Sequence, residues 1–241
     1  MHIDLRDGIK DELNTKVTIK LRWIIRIVIL SLIIGAVLFG LATRKKIVET
    51  TTIENQITEL FDVSRGVTDT TYGTYWQYCG GWFTAVHVHT GMGFEAPEFV
   101  SGAVVRSPGL IDAAWYGGEW SCDAPMNPED GMPVYLLGYP GGSDKPTLRQ
   151  GNVYLRRSQS GSPGYEISTW VVVFELRGVA GIFGEPVVGG MSGGVVTDRE
   201  FNPVGILVTQ NSPSDVTGDG KLQQSADIVG LADAYQALIV D

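Results

Sequence analysis

Gly190, Met191, Ser192, Gly193 and Gly194 place a serine hydroxyl between glycines. Such a frame suits a nucleophile. With few side chains in the way, the backbone can fold so that N–H groups converge on a developing oxyanion, and nothing crowds the carbonyl under attack. A serine hydroxyl is a weak nucleophile at its own pKa and needs an adjacent base. His87, at the end of the run GGWFTAV (80–86), is the candidate. A neutral imidazole can take the hydroxyl proton and return it to a leaving amine near neutral pH. A carboxylate such as Asp112, within LIDAAWYGG (110–118), or Glu119 or Asp123 as alternative acids, could fix the imidazole tautomer and stabilise the imidazolium. These three residue types together imply acyl transfer through a covalent intermediate, which needs no cofactor.

Four stretches carry a family resemblance. GGWFTAVHVHTG (80–91) resembles the T-A-A-H stretch of chymotrypsin-like serine peptidases, with Thr84, Ala85, Val86 and His87 in the matching places. GEPVVGGMSGGVVTDREFNPVGILVTQN (184–211) resembles that family's G-x-S-G-G nucleophile loop and the hairpin that follows it. Asp112 resembles the triad aspartate of the D-x-A pattern, and His87, Asp112 and Ser192 run in the family's chain order. The 25-residue step from His87 to Asp112 is short for the family and implies trimmed loops. MPVYLLGYPGG (132–142) and LRQGNVYLR (148–156) look like the first strand pair of the second barrel.

The resemblance covers residues 72–238 and implies an all-β fold of two six-stranded Greek-key β-barrels with a C-terminal helix. It also implies a serine endopeptidase with a polypeptide substrate, and oxyanion donors at the Gly190 and Ser192 amides. The pocket walls would come from Pro186, Val187, Val188 and Gly189 on one side and Val208, Thr209 and Gln210 on the other. None of these is acidic, so a small or apolar substrate side chain is expected rather than Lys or Arg. Met191 stands where trypsin-type enzymes carry an aspartate that pairs with a newly cut amino terminus. That activation switch cannot operate here, and the likeness is closer to short bacterial and viral members. Too few residues follow the terminal helix for a peptide-binding PDZ module. The alternative is an inactive protease-like scaffold, against which the presence of all three triad residue types argues. An α/β-hydrolase is set aside because the G-x-S-x-G elbow is missing and the serine comes last.

The elements that must position these residues are short. Thirty-one of the 241 residues are glycine, and Gly/Pro/Asn/Asp clusters separate apolar runs rich in Val, Ile, Tyr and Trp, a pattern of many turns joining strands. The first barrel is expected at about 67–128, the second at about 129–224 and the terminal helix at 225–239. Cys79 and Cys122 are either a disulfide or two small buried thiols. His87 and His89 would share a face if the strand continued. Zinc wants three or four ligands, however, and neither His2 nor the cysteines complete a set, so no metal is expected. DVTGDG (215–220) begins like a calcium loop but has Ala226 where the twelfth-place glutamate belongs, and it reads as a solvated turn.

Residues 21–42 form an apolar segment that as a helix reaches about 33 Å, enough to cross the hydrocarbon layer. Arg26 lies one turn inside its start, where its side chain can snorkel to the interface beside Trp23. Lys16, Lys20, Arg22 and Arg26 precede the uninterrupted run, and Arg44, Lys45 and Lys46 follow it. This small bias puts residues 1–20 in the cytoplasm and the peptidase domain, residues 67–241, outside it. Gly40-Leu41-Ala42 has the small-x-small pattern of a signal-peptidase site, but the long mixed-charge leader favours an uncleaved anchor. In the linker, residues 43–66, Ile53, Ile57, Leu60 and Phe61 fall at helical spacing and read as a spacer helix rather than a self-association stripe. Charge splits the chain: nine Lys/Arg and four Asp/Glu up to Lys46 (net +5), then nine and 23 (net −14). An acidic domain without a basic stripe excludes nucleic acid as a partner. Oligomeric state has no signature in the sequence.

Overall fold

The computed structural model describes residues 5–67, 72–91, 98–100, 105–106, 111–141, 143–155, 170–174, 189–220 and 223–240. The chain divides into two compact units, Met1–Thr51 and Thr52–Asp241. The described residues of the first are helical and belong to α1 (Leu5–Phe61). Its apolar side chains from Trp23 to Leu41 are exposed, and a window within Trp23–Phe61 has mean hydropathy 2.7 with none of it buried. A helix satisfies its own backbone polar groups, so a stretch this apolar is a candidate membrane span.

In the second unit, the last turns of α1 face inward. Ile57 and Phe61 are buried and Ile53 packs beside them, whereas Leu60 is exposed. Phe61 meets the Trp76 ring edge-on, with centroids 5.7 Å apart. The helix ends because Asp62 takes a left-handed φ of 43° and the Val63 N–H turns back to the Thr58 carbonyl (3.4 Å), a Schellman-type cap that buries Val63. This end of α1 is thus seated on the domain that follows it.

Strand β1 (Ser64–Val67) begins inside the expected linker and pairs with β2 (Tyr72–Tyr78). A two-residue turn leads to β3 (Gly81–Thr84), with φ of 52° at Cys79 and 87° at Gly80, the pair of positive values that a tight hairpin requires. After the short helix α2 (Val86–Gly91) come β4 (Val105–Arg106) and β5 (Ala114–Gly117). Together they form an antiparallel sheet of order β1-β2-β3-β5-β4. Cys79 and Cys122 are disulfide-bonded, so the hairpin tip is tied to the segment leaving β5.

The strands β6 (Pro133–Gly138), β7 (Thr147–Leu155), β8 (Trp170–Phe174), β9 (Val195–Thr197), β10 (Pro203–Ser214) and β11 (Gln223–Gly230) close into a barrel of order β10-β11-β8-β7-β6-β9. β6 pairs with β7 and β9 with β10, the strand pair and hairpin expected from the sequence. Val134, Leu136, Val172, Val196, Ala226 and Ile228 fill the barrel, while Leu137, Val195 and Ile206 face the core shared with Ile57, Trp76 and Phe83. The second expected barrel is therefore a closed six-stranded one, whereas the first is a five-stranded sheet among the described residues.

The terminal helix begins later than expected. Residues 225–230 belong to β11, where Ala226 and Ile228 alternate into the barrel between β8 and β10. A short apolar run of this kind fits helix and strand alike, and the two flanking strands decide it. Helix α3 (Leu231–Tyr235) continues in helical turns to Val240. Asn127 Oδ1 accepts from its Ala232 and Asp233 N–H groups (3.0 and 3.2 Å), capping it from the connector between the sheets.

Candidate active site

β3 stops at Thr84, and the buried Ala85 opens the first turn of α2 by accepting from the Val88 and His89 N–H groups. His87 is thus on a helix. Two helical steps rotate a side chain by about 200°, so His87 and His89 point to opposite sides. This corrects the continuing strand on which an H-x-H pair would share a face. His87 is 47% exposed, whereas His89 is buried with its Nδ1 2.5 Å from the Tyr116 hydroxyl. Burial pushes His89 below the usual histidine range and Tyr116 up to about 12, and it raises the neighbouring Tyr75 as well. No three His, Cys, Asp or Glu among the described residues are grouped to hold a metal ion.

Asp112 lies in the bend ahead of β5 and meets His87 at two points. Its Oδ1 accepts from the His87 backbone N–H (3.0 Å), and its Oδ2 lies 2.8 Å from the ring Nδ1. An ionised carboxylate only accepts, so Nδ1 carries the proton and Nε2 is left as the basic nitrogen. Glu119 and Asp123, the alternative acids, are exposed in the segment after β5.

Ser192 is half-buried in the loop ahead of β9. Gly193 has φ of 86°, and a Cβ there would sit 2.2 Å from the Thr74 carbonyl oxygen and 2.3 Å from Thr84 Oγ1. Only glycine fits, and the loop is thereby pressed against the end of β3, a few residues before His87. On its other side the Gly193 N–H donates to the Leu207 carbonyl (2.7 Å) and the Leu207 N–H to the Gly194 carbonyl (2.8 Å).

The peptides that carry the Gly190 and Ser192 amides are each held by their carbonyls. The Gly189 carbonyl accepts from the Gly141 N–H (2.6 Å), and the Met191 carbonyl accepts from the Gly194 N–H (3.0 Å). In a trans peptide the N–H points opposite to the C=O, so both amides face away from these anchors. Among the described residues, neither amide donates to a backbone carbonyl. Met191 is wholly buried in the barrel core.

Of the expected pocket residues, Pro186, Val187 and Val188 lie outside the described residues. Gly189, Thr209 and Gln210 are exposed, and Val208 packs in the core shared with the first sheet. Gly141 and Thr74 are residues that the sequence did not single out. Gly141 had a signal in the Pro140-Gly141 turn after β6, whereas Thr74 sits mid-strand in YGTYW and had none.

No protein-family model matches the sequence, and no curated protein is significantly similar to it. Solved structures do match. An inactive-form serine-to-alanine mutant of Rv3671c from Mycobacterium tuberculosis H37Rv is 15% identical, with a TM-score of 0.50 over 77% of this chain and 90% of that one. A second inactive-form structure matched is of the Rv3671c protease. The fold is that of the chymotrypsin-like serine peptidases. Weaker likenesses are to a serine endoprotease from Yersinia pestis (16% identity, TM-score 0.42, covering 76% of this chain and 64% of that one) and to a Glu endopeptidase (11%, 0.40, 71% and 86%). In this chymotrypsin-like fold His87 and Asp112 precede the closed barrel, and Ser192 comes from the loop that enters its strand β9.

Proposed function

We propose that the chain is a membrane-anchored serine endopeptidase. Ser192 attacks the scissile carbonyl, His87 Nε2 takes its proton and later delivers it to the leaving amine, and Asp112 holds the ring and stabilises the imidazolium. The Gly190 and Ser192 amides receive the oxyanion. The observation that carries this reading is the two-point hydrogen bonding of His87 by Asp112, close to a glycine-framed serine loop whose two key amides are turned away from their carbonyl anchors.

The finer features belong to the same reading. The first sheet completes a second barrel, the apolar part of α1 spans the membrane with its amino-terminal end in the cytoplasm, and the peptidase domain works outside. The Cys79–Cys122 disulfide supports that side, since such bonds persist in oxidising compartments. The pocket accepts a small or apolar side chain, supported by the absence of an acid among residues 186–189 and 208–210.

The decisive experiment treats the detergent-solubilised chain with an active-site fluorophosphonate and with a fluorescent protein substrate. Labelling and cleavage that both disappear in Ser192→Ala are expected. A folded wild-type protein that neither labels nor cleaves would instead be a protease-like scaffold. A peptide library profiles the preference, and dominance of Lys or Arg at the cleavage site would overturn the apolar pocket.

A further inference from the structure

Thr74 belongs to β2, in the sheet that does not carry the nucleophile, and it is wholly buried. Its polar atoms nevertheless converge on the nucleophile loop and its support. The backbone N–H donates to the Ser192 carbonyl (2.8 Å). The hydroxyl donates to the Gly190 carbonyl (3.1 Å) and accepts from the Tyr139 N–H (2.8 Å). The Thr74 carbonyl in turn accepts from the Thr84 hydroxyl (2.8 Å), two residues before α2 and three before His87.

Four successive carbonyls of the loop are therefore engaged. Gly189 is held by Gly141, Gly190 by the Thr74 hydroxyl, Met191 by Gly194 and Ser192 by the Thr74 amide. A loop containing Gly189, Gly190, Gly193 and Gly194 has wide backbone freedom, and turning one peptide plane would carry an oxyanion donor out of place. Met191 is apolar and buried, so no ion pair at that position fixes the loop.

We propose that Thr74 is the positioning residue of the oxyanion hole, its hydroxyl and amide locking residues 190–193 with the Gly190 and Ser192 amides aligned. The role rests on the peptidase reading and adds to it a residue that touches neither substrate nor the reacting atoms. A hydroxyl that donates and accepts at once cannot be replaced by a group of the same shape without hydrogen-bonding capacity. The same hydroxyl joins the loop to Tyr139, whose own hydroxyl donates to the Val63 carbonyl at the end of α1 (3.3 Å).

The test uses the full chain in detergent and compares wild type with Thr74→Val and Thr74→Ser. Complete loss of an oxyanion donor lowers kcat about 100- to 1,000-fold, and a donor kept but misaligned loses less. Thr74→Val is expected to lower kcat about 10- to 100-fold with KM within about twofold, because the oxyanion exists only in the transition state. Its affinity for a peptide boronic acid falls in parallel, and Thr74→Ser restores most of both. Circular dichroism at the assay temperature checks folding. If Thr74→Val does not fold, Thr74→Cys, similar in size and a weaker donor and acceptor, replaces it with the same expected direction.

Three results overturn the role while leaving the peptidase reading intact: kcat of the folded variant within about threefold of wild type, a loss confined to KM, or a loss that Thr74→Ser shares in full. Wild-type protein that neither cleaves peptides nor labels at Ser192 refutes the peptidase reading and this role with it.

Discussion

Asp112→Asn is the sharpest perturbation of the site, because it changes the charge and one acceptor while leaving the shape. The carboxylate accepts twice from His87, at the backbone N–H (3.0 Å) and at Nδ1 (2.8 Å). An asparagine has one acceptor oxygen. If that oxygen keeps the backbone bond, the amide NH2 faces Nδ1, which must then accept; the proton moves to Nε2, and the ring cannot take a proton from Ser192. If the amide flips, two donors collide at the His87 N–H. Either arrangement also removes the charge that stabilises the imidazolium. By analogy with triads in which the tautomer is wrong, kcat should fall about 10,000-fold, or about 5.4 kcal/mol of transition-state stabilisation. The assay is steady-state hydrolysis of a chromogenic peptide, with the rate of fluorophosphonate labelling as a second measure. A folded variant within tenfold of wild type in both would refute the assignment of Asp112 and the tautomer argument with it.

Gly193→Ala should abolish activity and lower the melting temperature, since its Cβ would meet two oxygens at 2.2 and 2.3 Å on a backbone at φ of 86°; near-normal activity would contradict the loop's seat on β3. Replacing both Cys79 and Cys122 with alanine releases a link across 43 residues and should destabilise the second unit by about 4 kcal/mol in urea titration. His89 has a folded-state pKa below its unfolded value of 6.5, so the unfolded chain binds a proton that the folded one does not. Its stability contribution is fully present above pH 6.5 and is lost as pH falls below that value toward the folded pKa. Melting temperature should therefore fall more steeply below pH 6.5 in wild type than in His89→Gln, and equal slopes would exclude His89 as the cause.

How much of this was legible in the sequence depends on the range of each interaction. The hairpin after Ser192 was readable because its apolar runs and turn residues are local signals, whereas the β6–β7 pair followed from the family resemblance. The end of β3 was readable too, but the turn into α2 was not, since Val86-His87-Val88-His89 alternates as well as any strand. Residues 225–230 misled for the opposite reason: their apolar content suits a helix until β8 and β10 pair with them on both sides. The approach of Asp112 to His87 followed from resemblance and chain order, and its two-point geometry could not. Thr74 was invisible because its role comes from the loop lying over β2, 116 residues away at Gly190.

Met191 is enclosed in the barrel core. In the peptidase reading, its thioether offers a freed amino terminus nothing to pair with, so cutting the chain upstream would gain no new ion pair in the barrel core.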